Sequence, residues 1–193
     1  DEVSSLLDGV THLWISHEHP DHFSILFFKK FGKKLKANNI QIIFQDTSDK
    51  RVEGFLMKSG YNLKVIEFNC WITLANDFEI LCFKDGFYDS GLAIKTSDKT
   101  IINLNDCEVK DRLRCEEVIK ITGVCDILAT QFSYAAWKGG VANVGWRQLA
   151  AKEKIDTMKL QASCFKPTVM IPFASYIYFS NNANFYLNDA ANK

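Results

Sequence analysis

The segment WISHEHPDHFS, residues 14–24, contains the motif that decides the fold of this chain. Three of the chain's four histidines, His17, His19 and His22, lie there in the pattern HxHxDH, together with Asp21. Imidazoles at positions i and i+2 of an extended segment point to the same side, so His17 and His19 can bind one ion. Once the chain turns, Asp21 and His22 face a second position. The motif therefore predicts a site for one or two metal ions.

The residues around the motif predict a strand before it and a helix after it. Residues 10–15, VTHLWI, favour a strand, and residues 23–38 place apolar side chains at helical spacing among lysines. Loops that follow a strand and precede a helix are where α/β folds commonly place their sites. A polar loop with chance histidines is the alternative, and the concentration of histidines in one pattern argues against it. His12 lies inside the strand, and we assign it no ligand role.

Helices alternate with strands at both ends of the chain, and a run of strands fills the middle. This order predicts an α/β sandwich with mixed sheets rather than a purely parallel, doubly wound sheet. The expected helices are residues 1–9, 23–38, 50–58, 109–121 and 146–165. The expected strands are residues 10–15, 40–44, 63–68, 71–74, 78–83, 92–96, 100–104, 126–130 and 168–171.

Composition indicates an ordinary globular chain with no charge bias. Of the 193 residues, 47% are hydrophobic and 24% are charged, as in ordinary globular proteins. The 23 Lys and Arg residues balance 23 Asp and Glu residues, so no net charge attracts the chain to nucleic acid or a membrane surface. The six cysteines form no CxxC pair, which excludes a zinc knuckle or a thioredoxin motif. Without a signal peptide or a long apolar run, we expect a reducing, cytoplasmic context, although the natural N-terminus can lie upstream.

Three aspartates outside the motif are further candidates. Asp106 follows an apolar strand and can bridge two metals, but an Asx-turn or a helix N-cap explains it equally well. Asp85 and Asp89 flank a glycine turn, which is typical of a hairpin and leaves metal ligation as the alternative.

The segment WISHEHPDHFS resembles the signature of the metallo-β-lactamase superfamily. The segments FKDGFYDSGLAI, TIINLNDC and VMIPFASY are similar, in order and spacing, to the metallo-β-lactamase-like portion of the CMP-N-acetylneuraminic acid hydroxylase family and its bacterial relatives acting on UDP-muramic acid derivatives. The resemblance runs from about Val10 to about Asp189. It implies an αββα sandwich with metals at the sheets' edge, in which residues 1–193 form one domain that lacks the fold's N-terminal strands.

The resemblance also implies a ligand set. Hydrolases of the superfamily supply two further histidines, whereas no histidine follows His22 here. By position, Asp85 replaces the first and Phe173 stands near the second, as in the hydroxylase branch. Such an oxygen-rich site suits iron or manganese at least as well as zinc, and we favour iron. The implied metal ligands are His17, His19, Asp21, His22, Asp85 and Asp106.

Three functions follow from these observations. The first is a non-haem iron oxygenase that hydroxylates the N-acyl group of a nucleotide sugar or a similar small molecule, with electrons from a Rieske-type donor outside this chain. The second is a metallohydrolase in which Asp21 or Asp106 acts as the catalytic residue that orients a water for attack on a phosphodiester, ester or amide. The third, a non-catalytic binding module, is disfavoured by the intact HxHxDH motif.

Overall fold

Alternating side chains on two strands, one from each sheet, set up the layers of this fold. In the strand at residues 41–45, Ile42 and Phe44 pack on one side against helices, and Ile43 packs on the other side against the second sheet. In the strand at residues 78–85, Leu81 and Phe83 face helices. Since successive side chains of a strand point to opposite faces, each sheet is covered by helices outside and by the other sheet inside. The expected αββα sandwich is confirmed.

The structure, a computed structural model, describes residues 2–173 and 175–192. Its helices are α1 (Glu2–Leu6), α2 (Ile25–Ala37), α3 (Arg51–Lys58), α4 (Arg112–Thr122) and α5 (Val144–Phe165), with a 3₁₀ turn at Phe185–Asp189. Its strands are β1 (His12–Ile15), β2 (Gln41–Gln45), β3 (Leu63–Ile66), β4 (Ile72–Ala75), β5 (Phe78–Asp85), β6 (Asp89–Thr96), β7 (Thr100–Asn103), β8 (Ile127–Thr130) and β9 (Val169–Pro172). Asp1, which the expected first helix included, lies outside the described residues.

The two sheets differ in their strand directions. The smaller sheet has the order β1-β2-β3 and is parallel throughout. The larger sheet follows chain order from β4 to β9, antiparallel as far as β7 and parallel from β7 to β9. Only the larger sheet is therefore mixed.

Capping residues explain where two helices begin. The Ser24 side chain accepts a hydrogen bond from the backbone N–H of Phe27, so α2 begins just after the histidine motif. The Asp111 side chain accepts from the backbone N–H of Arg114, so α4 begins at Arg112 and not at the expected Val109. Asp106 is thus not a helix cap.

The β5–β6 hairpin is longer than the sequence indicates. Pairing continues outward to Asp85 and Asp89, which lie opposite each other on either side of the Gly86 turn. Gly86 has a φ of 53°, a left-handed conformation that glycine adopts at little cost. The added length carries Asp89 to the end of the hairpin, beside the histidine motif.

Among the described residues, no helix combines the length and the apolar character that crossing a membrane requires.

Candidate metal centre

The histidine motif begins where β1 ends, at a point held by both sheets. The carbonyl oxygen of Ser16 accepts hydrogen bonds from the Gln45 side chain in β2 and, at 2.6 Å, from the Ser90 hydroxyl in β6. The chain then turns, with the backbone N–H of His22 donating to the carbonyl oxygen of His19 at 2.9 Å. This turn brings the His22 ring beside the His17 ring, with 4.2 Å between their centroids.

One serine hydroxyl bridges two of the imidazoles. Ser16 Oγ lies 3.0 Å from His17 Nδ1 and 3.1 Å from His22 Nδ1. Because the Asp106 carboxylate can only accept, His22 Nε2 carries the proton of its contact with Asp106 and would release it on binding a metal. When the Ser16 oxygen accepts from His17 Nδ1–H, His17 Nε2 presents a lone pair to the centre of the cluster, which is the orientation that a metal-binding histidine needs.

Two aspartates complete the cluster from the larger sheet. Asp106 Oδ2 lies 2.9 Å from His22 Nε2 and 3.8 Å from His17 Nε2. Asp89 Oδ1 lies 3.5 Å from His17 Nε2, and His19 Nδ1 lies 2.8 Å from the same nitrogen. The donor atoms form two groups, each within 4.8 Å: His17, His19 and Asp89, and His17, His22 and Asp106. Both groups share His17, and both have the nitrogen and carboxylate donors that transition metals bind.

Burial and neighbouring charges shift the pKa values of these groups in different directions. Burial, aided by His22 and His19, lowers the pKa of His17 to about 4, so this imidazole keeps a lone pair at neutral pH. A hydrogen bond to Asp106 raises the pKa of His22, and the same bond lowers the pKa of Asp106. Burial raises the pKa of Asp89, with the Asp106 charge adding to the effect.

The structure does not bring Asp85 into this cluster. Its side chain is only 8% exposed and accepts hydrogen bonds from Arg114 Nε at 2.9 Å and from the backbone N–H of Glu108. Arg114 also lies 2.8 Å from Asp85 through its Nη2 atom. The arginine therefore holds the carboxylate that the resemblance assigned to the metal, and Asp89 stands at the histidines in its place.

Two further positions singled out from the sequence, Asp21 and Phe173, belong to neither donor group. Asp21 is beside His22, with 3.5 Å between Asp21 Oδ2 and His22 Nε2, but its side chain is 78% exposed and it belongs to neither donor group. Phe173 follows β9, and its backbone N–H donates to the carbonyl oxygen of Thr130.

A cavity of about 320 Å³ opens beside the histidines. His17 and Gln45 line it together with the aromatic rings of Phe68, Phe87 and Tyr88. Half of the remaining lining residues are in the loop after β2, residues 46–49, whose side chains are polar or acidic. A small molecule bound there would contact both apolar rings and polar groups next to the donor atoms.

These layers define a metallo-β-lactamase fold, and the donor set is a candidate metal centre at the edge of its sheets.

Solved structures of other proteins show the same fold. The chain is similar to CmlA, a diiron β-hydroxylase from Streptomyces venezuelae, with a TM-score of 0.58, 12% identity, and coverage of 85% of this chain and 36% of that one. It is also similar to human tRNase Z, short form, with a TM-score of 0.57, 12% identity, and coverage of 90% and 82%. The metallo-β-lactamase fold protein YhfI from Bacillus subtilis gives a TM-score of 0.52 at 17% identity, covering 88% and 79%.

The sequence itself has a curated relative. The chain is 23% identical over 196 residues to cytidine monophosphate-N-acetylneuraminic acid hydroxylase from Xenopus laevis, covering 93% of this chain and 32% of the hydroxylase. The chain thus spans about a third of the length of that relative. No family model matches it. CmlA, a diiron β-hydroxylase, and tRNase Z share the fold, which alone does not select a reaction.

Proposed function

We propose that this chain is the metal-binding part of a hydroxylase of the non-haem iron type. The observation that carries the proposal is the composition of the donor groups, since each contains two imidazoles and one carboxylate, the set typical of non-haem iron oxygenases. The likeness to two hydroxylases supports the same branch. Iron bound to these residues would supply the oxidation chemistry.

The chain's own residues would bind and orient the substrate in the cavity beside His17. The rings of Phe68, Phe87 and Tyr88 would exclude water and pack against a base or an acyl chain. Lys84, which also lines the cavity, carries a positive charge suited to a phosphate group. We therefore propose a nucleotide sugar or a similar N-acyl compound as the substrate, with a Rieske-type protein as the electron donor and residues 1–193 acting as one domain.

Metal analysis of protein purified without chelators tests the proposal. We expect about one or two equivalents of metal, chiefly iron, in the wild type, and none in the His17→Ala, His19→Ala double variant. The matched control is His12→Ala, which removes a histidine from β1 outside both donor groups and should leave the metal content unchanged. A wild type without metal, or a double variant that retains it, would contradict the metal centre.

A metallohydrolase is the second candidate, and the position of Asp21 favours it. The Asp21 carboxylate is exposed next to His22 Nε2, where it could orient a water for attack on a phosphodiester. Zinc in the purified protein, together with hydrolysis of bis(4-nitrophenyl) phosphate that Asp21→Asn abolishes, would support this function over the hydroxylase.

A further inference from the structure

The carboxylate of Asp106 has two oxygens with different partners. Asp106 Oδ2 faces the imidazoles of His22 and His17, whereas Asp106 Oδ1 accepts a hydrogen bond from Gln131 Nε2 at 2.6 Å. Gln131 lies directly after β8, and its Oε1 atom accepts a hydrogen bond at 2.8 Å from Nζ of Lys154 in α5. A chain of hydrogen bonds thus runs from α5 to the candidate metal centre.

The groups at the two ends, a carboxylate and an ammonium, fix the direction of these hydrogen bonds. A carboxylate can only accept hydrogen bonds and an ammonium group can only donate them. The Gln131 amide therefore must present its nitrogen to Asp106 and its oxygen to Lys154. With the amide held in this way, Asp106 Oδ1 is engaged, and the second oxygen is turned toward the histidines.

From this geometry we infer that Gln131 and Lys154 are positioning residues, which orient the Asp106 carboxylate for metal binding. The inference rests on the proposed metal centre. Groups that hydrogen-bond to metal ligands typically change metal affinity by about 10–100-fold when they are removed. Gln131 would act directly on Asp106, and Lys154 would act through Gln131.

The charge of Lys154 makes the inference sharply testable. A positive charge near the site repels a metal cation, so removing it should tighten metal binding if Lys154 acted only through its field. If Lys154 orients Gln131 instead, removing it should weaken metal binding. The two accounts predict opposite signs.

The experiment measures the dissociation constant for Co²⁺ in competition with a chelator. The variants are Gln131→Met, Lys154→Met and their double, and the matched control is Lys152→Met on the same helix, an exposed lysine paired with Asp156. We expect Gln131→Met to weaken binding about 10-fold and Lys154→Met several-fold. In the Gln131→Met background, Lys154→Met should cause no further weakening, and Lys152→Met should have no effect in either background.

The outcomes separate this inference from the proposed function. Unchanged or tighter Co²⁺ binding by Gln131→Met or Lys154→Met, in folded protein, overturns the inference and leaves the metal centre standing. Independent weakening by the two substitutions overturns the claim that Lys154 acts through Gln131. A wild type that binds no Co²⁺ removes the metal centre and the inference with it. Should Gln131→Met fail to fold, the sign of the Lys154→Met effect decides the question alone.

Discussion

At the scale of single residues, Asp85 and Asp89 show how position within a hairpin separates two similar carboxylates. They lie opposite each other across the end of the β5–β6 hairpin. Asp85 is buried against Arg114, and Asp89 faces His17. One carboxylate therefore ties the hairpin to α4, and the other completes a donor group.

Substitution of these two aspartates should have opposite consequences. Asp89→Asn should weaken metal binding at least 10-fold with little change in stability, because it removes a charged donor from a partly exposed position. Asp85→Asn should lower the free energy of unfolding by about 2 kcal/mol, since Arg114 loses its buried charged partner and keeps only the exposed Glu117, with little effect on metal affinity. Chelator competition and urea unfolding of both variants measure the two quantities. The reverse pattern would return Asp85 to the ligand set.

The contrast also marks the limit of prediction from sequence at this site. The three histidines could be predicted because they lie within six residues of sequence, so local geometry alone brings them together. The position of Asp89 beside the histidines, and of Asp85 against α4, depends on the hairpin register and on the contact with Arg114, which lies on a separate helix. Gln131 and Lys154 meet only because α5 packs beside β8, and no local pattern signals that pairing.

At the scale of elements, the β5–β6 hairpin depends on a glycine in β6. Gly91 lies opposite Phe83, whose ring is buried in the core beneath α4 and α5. A Cβ atom at Gly91 would come within 2.1 Å of that ring. The ring thus occupies the space that a side chain at residue 91 would need, and only glycine fits there.

Gly91→Ala should therefore destabilise the protein. We expect a loss of about 1–3 kcal/mol in the free energy of unfolding, because the buried ring must shift within a packed core. Gly54→Ala is the matched control, since Gly54 lies in α3 with open space around its Cβ position. That control should gain about 0.5–1 kcal/mol from higher helix propensity. Urea unfolding measures both changes, and equal stabilities of the two variants would refute this account of Gly91.

Most elements could be predicted from the sequence, and the errors lie at their ends. Apolar residues of α2, Phe28, Phe31 and Leu35, recur at helical spacing and are buried, so the helix was visible in the pattern. Its first residue depends on which polar group caps it, and several candidates stand near Ser24. The sequence does not predict the ends of the hairpin, because Lys84, Asp85 and Ser90 break the apolar pattern that signals a strand.

At the scale of the whole molecule, the candidate centre draws on both sheets. The three histidines follow β1 of the smaller sheet, and Asp89 and Asp106 belong to β6 and the loop after β7 of the larger one. An ion held by both sets would join the two sheets at their common edge. Metal binding would then stabilise the native chain and not the unfolded one.

Addition of metal should therefore raise the unfolding temperature. At a free metal concentration 100 times the dissociation constant, linkage gives about 2.7 kcal/mol of stabilisation. For a chain of this size that corresponds to roughly 5–10 °C. Calorimetry with and without Co²⁺ measures the shift, and the His17→Ala, His19→Ala variant should show none. An equal shift in that variant would place the bound metal elsewhere on the surface.

The sharing of His17 between the two donor groups has a consequence for stoichiometry. Its Nε2 atom has one lone pair and can bind only one ion. The first ion to occupy His17 would leave a second ion with fewer ligands, and the two positive charges would repel each other. Occupancy should therefore proceed in two unequal steps, the second weaker than the first. At limiting metal, most loaded molecules would carry a single ion, and the paired form would accumulate only in excess.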